Sequence, residues 1–343
     1  MNCNNVCGVS QRIGYIDIFR GIAIILMIMG HIGFTFYFDK YIHVFHMPLW
    51  FFISGWFFKD TNQKFIFIIK KKSKTLLIPY LFFGIVQYPI WIIFNYKNSK
   101  NLLEPLINFL WINTNLVMPI AGALWFLTCL FFTEVFFLVL RRNIRSEKLL
   151  FIIILIISTF GTFFNKIFSF RLPWGIDTAF VTIGFYYGGY KLKKFNIKKK
   201  WNRLFDIPTI TLILCFIINL FMSFINGYVN LRIGTYGFFL LFWFNAFFAI
   251  IIYFNISYKL DLFKNNFVIH IINHIKYIGK NSIVYLCLNQ LNILVLSKII
   301  NFSNYGIFFW FIGQLCVLIV SLLSLFMISK TINRSKLKFF IGK

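Results

Sequence analysis

The stretch YIDIFRGIAIILMIMGHIGFTFYF at 15–38 decides the fold, because every residue from Gly21 to Gly30 is apolar or glycine. With this apolar core, the stretch 16–38 is long enough to cross a bilayer, which takes about 20 residues as a helix. Reading outward from it, comparable runs recur to the end of the chain. The sequence therefore predicts an all-α polytopic membrane protein with about ten transmembrane helices. The predicted spans are approximately 16–38, 43–58, 75–96, 118–140, 149–165, 174–190, 206–226, 236–254, 282–299 and 306–329, within one integral-membrane domain over 1–343. The second, sixth and ninth are short, which suits spans that line a polar cavity or pack inside the bundle. LLEPLINFLW at 102–111 is too short to span and holds Pro105, so an interfacial or re-entrant piece is expected there.

Composition excludes the alternatives. Of the 343 residues, 59% are hydrophobic, 22% aromatic and 13% charged. A soluble domain carries about 45–50% apolar and about 25% charged residues. Disordered, collagen-like and coiled-coil chains need polar, Gly/Pro-rich or heptad-charged sequence, which is absent. The formal net charge of +26 invites a nucleic-acid reading. Nucleic-acid binders, however, place basic residues on a folded polar face. Here the lysines sit between long apolar runs, as in cytoplasmic loops beside membrane spans. The six cysteines include four within apolar runs, where Cys packs as a small hydrophobe. Cys3 and Cys7 have no zinc-like spacing to other ligands. The first apolar run exceeds a signal-peptide core, so no cleaved leader is expected.

Loop charges test the span count. With the N-terminus in the cytoplasm, 28 Lys and Arg fall on the inside and seven on the outside, and every loop alternates correctly. The expectation is ten spans with both termini cytoplasmic. Topology and contact with anionic lipid suffice for any single lysine of the basic runs, KKSK at 71–74 among them, while a collective role in drawing an anionic cofactor to the cytoplasmic mouth would ride on the same charges.

Ionisable groups within spans are expensive and point to function. Arg20 and His31 are eleven residues apart, so they project from one helix face, about 20° beyond three full turns and about 16 Å apart along the axis. Asp17 lies about 40° off that face and three residues before Arg20, within pairing range. The second segment, YIHVFHMPLWFFISGWFFK at 41–59, adds His43 and His46 one turn apart. No nearby carboxylate or cysteine completes a metal set around them, so no metal is expected. Pro48 is placed near the start of that helix, where proline is tolerated. Three histidines in the extracytoplasmic half of two adjacent helices suit proton transfer. Packing by hydrogen bonds to neighbouring backbone stays open for each, His46 in particular.

These residues carry a resemblance. The Arg20-x10-His31 pattern with Asp17 before it resembles the membrane-bound acyltransferase 3 family, and FHMPLWFFISGWFF at 45–58 is similar to the signature of its fucose 4-O-acetylase-like branch. KKSKTLLIPY at 71–80, GALWFLTCLFF at 122–132, LPWGIDTAFVTIGFYYGGYKLKK at 172–194 and IGKNSIVYLCLNQ at 278–290 follow in the family's order. Two departures stand out. Asn289 lies where members commonly carry a histidine, and Lys74 stands where Arg is frequent, keeping charge without bidentate phosphate geometry.

The resemblance implies O-acyl transfer, acetyl by default, from cytoplasmic acyl-CoA to a hydroxyl of a cell-surface carbohydrate or its lipid-linked precursor. On that reading His31 is the general base, and His46 and Asp17 complete the catalytic set. Arg20 and Lys74 bind the phosphates of acetyl-CoA, the acyl donor. The Ser54 hydroxyl as nucleophile is the alternative within the chemistry, without a GxSxG-like elbow. A polysaccharide exporter or carrier without acyl transfer is the alternative function, although neither an internal repeat nor paired membrane charges favour it. Expected partners are acyl-CoA, a carbohydrate acceptor and the lipid bilayer, with no nucleic acid; homo-oligomers and polysaccharide-assembly partners stay open. Heavy Phe, Ile, Lys and Asn usage points to an AT-rich bacterial genome and a multi-pass inner-membrane protein.

Overall fold

The structure, a computed structural model, describes residues 14–95, 101–114, 118–197, 207–300 and 306–342. Cys3, Cys7, Arg12, Lys97, Lys100, Lys198, Lys199, Lys200, Arg203 and Lys343, which entered the cysteine and loop-charge readings, lie outside the described residues. The architecture is all-helical. Along the chain run α1 (Gly14–Ile32), α2 (Phe36–Trp56), α3 (Phe65–Lys72), α4 (Ile78–Asn95), α5 (Glu104–Leu110), α6 (Trp125–Asn143), α7 (Glu147–Ile167) and α8 (Ile176–Ile197). Then follow α9 (Thr209–Ile225), α10 (Phe239–Asp261), α11 (Asn266–Lys280), α12 (Ser282–Ile299) and α13 (Ile307–Arg334). The one isolated bridge among the described residues pairs Asn230 with Thr235.

Seven helical runs of the described residues are long and apolar enough to cross a membrane: α1, α3–α4 as one run, α6, α7, α10, α12 and α13. The protein is a polytopic membrane protein. Its outward faces agree, since Ile156, Phe221, Phe244 and Leu323 on α7, α9, α10 and α13 are each more than 60% exposed. Apolar side chains pointing outward on this scale require lipid rather than water. A helix also covers each of the three remaining predicted stretches. α9 is shorter, at 17 residues, and α2 and α8 are interrupted by polar or glycine positions.

That α2 is polar follows from where it sits. Almost all of it from Tyr41 onward is buried, and its main neighbour is α8. The two backbones meet at glycines. A Cβ on Gly55 would lie 1.8 Å from the Tyr186 carbonyl oxygen, and one on Gly189 would lie 1.9 Å from that of Phe52. Only residues without a side chain permit this approach.

The turn between α1 and α2 falls earlier than the sequence predicts. Gly33 adopts a left-handed φ of 79° and ends α1. Thr35 then caps α2, its hydroxyl accepting from the Phe38 amide at 3.2 Å. Two consequences follow. Pro48 lies well inside α2 rather than near its start. Asp39 becomes the first-turn residue one helical turn before His43. At α3–α4 a π-helical turn, Ser73–Leu77, interrupts the α-helix just before Pro79. Pro79 has no N–H and its ring crowds the carbonyl four residues earlier, that of Thr75, so a locally widened helix is the expected response.

One element, α11, differs from expectation, and α5 gains defined contacts. α11, read in sequence as part of a basic loop, is an amphipathic helix that turns Ile272 and Ile278 inward toward α1 while Phe267 and Ile271 stay exposed. α5, expected at the interface or as a re-entrant piece, leaves Ile107 and Leu110 exposed and is anchored at one end: Phe109 stacks on Tyr80 at 4.3 Å, and the Trp174 indole donates to the Leu110 carbonyl at 2.7 Å.

Gly55→Val should force α2 and α8 apart, because overpacking of a tight contact costs about 1–3 kcal/mol. Its melting midpoint in detergent is expected to fall clearly. Gly30→Ala, whose Cβ would meet nothing closer than 3.8 Å, is expected to melt as wild type does.

Candidate active site

Two cavities lie along α1, one at the Arg20 level and one at the His31 level. The first has a volume of about 190 Å³ and is walled by Arg20 from α1, Ser54 from α2, Lys72 from α3, Glu134 from α6 and Ser282 from α12. Arg20 donates from Nη2 to the Ser282 hydroxyl at 2.9 Å, and its guanidinium lies 5.9 Å from the centre of the Phe57 ring. Lys72 donates to Glu134 Oε1 at 2.9 Å, while Glu134 Oε2 is buried without a partner. The wall thus offers fixed cations, hydroxyls and one carboxylate acceptor to a ligand. Around this end of the bundle a charged rim joins Asp60, Arg141, Glu147, Lys191 and Lys194. Partial burial opposes ionisation of Asp60, but the Tyr190 hydroxyl, Lys194 and Arg141 outweigh it and hold its carboxyl below the usual range.

The second cavity has a volume of about 220 Å³ and brings His31, His43 and His46 together with Arg232 and Gln290. Helix geometry explains the convergence. His43 stands beside the outer end of α1, where a Cβ on Gly30 would lie 3.9 Å from its ring. His46 is one turn deeper, about 4.5 Å along the axis, and the two rings meet edge to face at 4.9 Å. His43 Nδ1 faces both the Asp39 carbonyl at 2.9 Å and the Asp39 carboxylate at 3.0 Å. The carboxylate's other oxygen accepts from the Tyr228 hydroxyl at 2.8 Å. Asp39 is therefore the carboxylate beside the histidine pair that the sequence reading did not find, and it was hidden by the misplaced helix start. His46 Nδ1 bonds the Ile42 carbonyl at 2.8 Å. Among the described residues no three His, Cys, Asp or Glu side chains converge to hold a metal ion.

Leu286 of α12 lines both cavities, so the cationic chamber and the histidine chamber adjoin at that residue. The sequence's candidates divide accordingly. Arg20 is in the first chamber; His31 and His46 are in the second. Asp17 is in neither. It is buried about 21 Å below His31, with Lys280 at 4.0 Å. That distance removes it from any reacting atom around His31 and leaves it an anchoring position between α1 and the end of α11. Lys74 is in neither chamber, its ammonium lying 5.1 Å from the Phe339 ring. The lysine that reaches the first chamber is Lys72, because the π-turn rotates the register ahead of Pro79. Ser54 donates to the Trp50 carbonyl at 2.9 Å and lies in the first chamber, apart from the histidines.

Asn289, the residue standing for the family's histidine, is fully buried and donates back to the Leu286 carbonyl at 2.6 Å. Its neighbour Gln290 is the one that faces the histidines. Arg232 comes from the segment between α9 and α10, which a sequence reading treats as an ordinary outer loop. Nothing in its spacing marks it. A model of the family described as "Acyltransferase domain" matches residues 13–330.

The chain belongs to the acyltransferase 3 family. This membrane acyltransferase thus places its Arg20–His31 face and its second-helix histidines around two adjoining chambers. No curated protein and no solved structure matches it.

The Lys72–Glu134 pair gives a test of the first chamber. Lys72→Met leaves a buried carboxylate without its partner, which costs about 1–3 kcal/mol. Lys72→Met should melt earlier than wild type, and adding Glu134→Gln should return most of the loss in the same thermal-shift measurement.

Proposed function

We propose that this acyltransferase moves an acyl group, acetyl by default, from cytoplasmic acyl-CoA to a hydroxyl of a cell-surface carbohydrate or its lipid-linked precursor. The observation that carries this reading is the pair of chambers adjoining at Leu286, one lined by cations and one by imidazoles. Acyl-CoA is a molecule with a polyanionic end and a reactive end joined by a thin arm. Its phosphates suit the neighbourhood of Arg20 and Lys72, since a guanidinium offers charge-assisted, fork-shaped bonds to phosphate. Its pantetheine arm can follow the α1 face over the ~16 Å to His31. Its amides would find acceptors and donors in Glu134, Ser54 and Ser282.

The acceptor enters the histidine chamber from the other end, where the 226–238 segment and Arg232 cover it. A sugar hydroxyl is a poor nucleophile until a base removes its proton in the transition state, and imidazole is the side chain best matched to that task near neutral pH. The loop-charge bias supports placing the Arg20 end in the cytoplasm, where acyl-CoA is available. A bacterial inner-membrane location, acetyl-CoA as the donor and the fucose 4-O-acetylase-like branch are the finer parts of the same proposal.

Membranes containing the protein, supplied with labelled acetyl-CoA, should label a carbohydrate fraction. Absence of label on any carbohydrate would remove this function and leave a carrier or scaffold. Arg20→Ala should raise the donor KM about 10- to 100-fold, the worth of one to two charged hydrogen bonds, and Arg20→Lys should recover part of it. An unchanged donor KM would reduce Arg20 to a partner of Ser282. His31→Ala should lower turnover at least about 100-fold while insertion and yield stay near wild type, as checked by labelling and by size-exclusion profile.

A further inference from the structure

The hydrogen bonds around the three histidines assign different protons to them. Gln290 is the starting point. Its Oε1 accepts from the Ala123 backbone N–H at 2.9 Å, and an N–H must meet an oxygen, so the orientation of the amide is fixed. The amide's NH2 is then the group facing His31 Nδ1 at 3.4 Å. Gly122 makes room for this: a Cβ there would lie 3.0 Å from Gln290 Oε1 and 2.8 Å from an Arg232 guanidinium nitrogen. Facing a donor, His31 Nδ1 is the lone-pair nitrogen, and in the neutral ring the proton sits on Nε2. His46 is the reverse. Its Nδ1 is 2.8 Å from a backbone carbonyl, which can only accept, so Nδ1 carries the proton and Nε2 the lone pair. With Nδ1 turned to its own helix, Nε2 is the nitrogen left to face the cavity.

We infer that Gln290 and the α2 backbone sort the histidines into two opposite jobs: His46 is the general base on the acceptor hydroxyl, and His31 is a hydrogen-bond donor to the acyl carbonyl oxygen. This rests on the acyl-transfer reading above and changes the residue that the sequence alone nominates as base. His46 Nε2 takes the hydroxyl proton as the hydroxyl oxygen bonds to the acyl carbon. The carbonyl oxygen gains negative charge, which His31 Nε2–H stabilises. The carbon–sulfur bond then breaks with its electron pair on sulfur, and the proton on His46 passes to that thiolate. The products are the ester and the free thiol, with His46 neutral again. His46 suits the base role better than His43 because it is one turn nearer the Leu286 wall and the donor chamber. His43 is held at the outer rim by Asp39, which Tyr228 also engages. Gln290 is a positioning residue: it touches His31, not the reacting atoms.

Three substitutions and one spectrum test this in the full-length protein. A glutamine can donate a hydrogen bond but cannot act as a base. His31→Gln should therefore keep turnover within about tenfold of wild type, while His46→Gln should lose a factor on the order of 10³, as removal of a general base does. Gln290→Glu preserves the oxygen that meets Ala123 N–H but gives His31 Nδ1 an acceptor, driving the proton from Nε2 to Nδ1. Turnover should fall about 100-fold, the worth of one donor to a developing oxyanion, with donor KM within twofold. Nitrogen-15 spectra of histidine-labelled protein, with the His31 signals assigned by their loss in His31→Gln, should show protonated Nε2 in wild type and protonated Nδ1 in Gln290→Glu. Equal loss in His31→Gln and His46→Gln, full activity in Gln290→Glu, or a wild-type His31 protonated at Nδ1 would each overturn the assignment. The spectrum reads the tautomers whether or not the acetyl assay shows transfer, so failure of the acyl-transfer reading and failure of the sorting are separable.

Discussion

A helix that carries an aspartate, two histidines and an internal proline cannot face lipid, and the rest of the bundle is arranged around that fact. α2 is sheathed because α8 comes to backbone contact with it through Gly55 and Gly189. With that crossing closed, the polar side chains of α2 are left to point the other way, toward α1 and α12, where the chambers are. The expense of burying polar groups is thereby confined to one seam. The lipid-facing helices can then be almost featureless: α7, α9, α10 and α13 show Ile, Leu and Phe outward and need no specific contacts there.

Within the seam, hydrogen bonds rather than bulk polarity define what each group can do. A backbone carbonyl, a backbone amide and a carboxylate each meet one imidazole or its neighbour, directly or through Gln290. These partners are elementary donors and acceptors, and each has only one possible polarity. That single-valued polarity makes the proton positions in the chamber a property of the fold instead of an accident of titration.

Much of this was legible in the sequence. The membrane class followed from composition and run length, and the common face of Arg20 and His31 followed from eleven residues at 100° each. His43 and His46 were legible because polar residues in an apolar run are exceptional. What was not legible had a physical reason in each case. The start of α2 was missed because the turn depends on the positive φ of Gly33, and a glycine inside an apolar run carries no visible signal. Lys74 came from the resemblance, by its place in the basic stretch, and spacing alone does not tell it from Lys72, the lysine that reaches the first chamber ahead of the π-turn. Gln290 and Asn289 are adjacent amides, and only the helix orientation tells which one faces the chamber. Arg232 comes from a loop, where periodicity gives no direction at all. α11 was absorbed into a basic loop because its four-residue apolar pattern is diluted by lysines and histidines.

The straight helical segment between Arg20 and His31 acts as a ruler with coarse graduations. Adding one residue there would lengthen it by only about 1.5 Å but swing His31 about 100° around the axis, out of its chamber altogether. Length and direction are coupled, so this distance cannot drift by small steps. Viable changes come in whole turns, about 5.4 Å at a time, each of which would leave a donor of the original reach short of the histidines. The separation of the two chambers is in that sense quantised, and a lineage that keeps the helix must keep the count of residues along it as well.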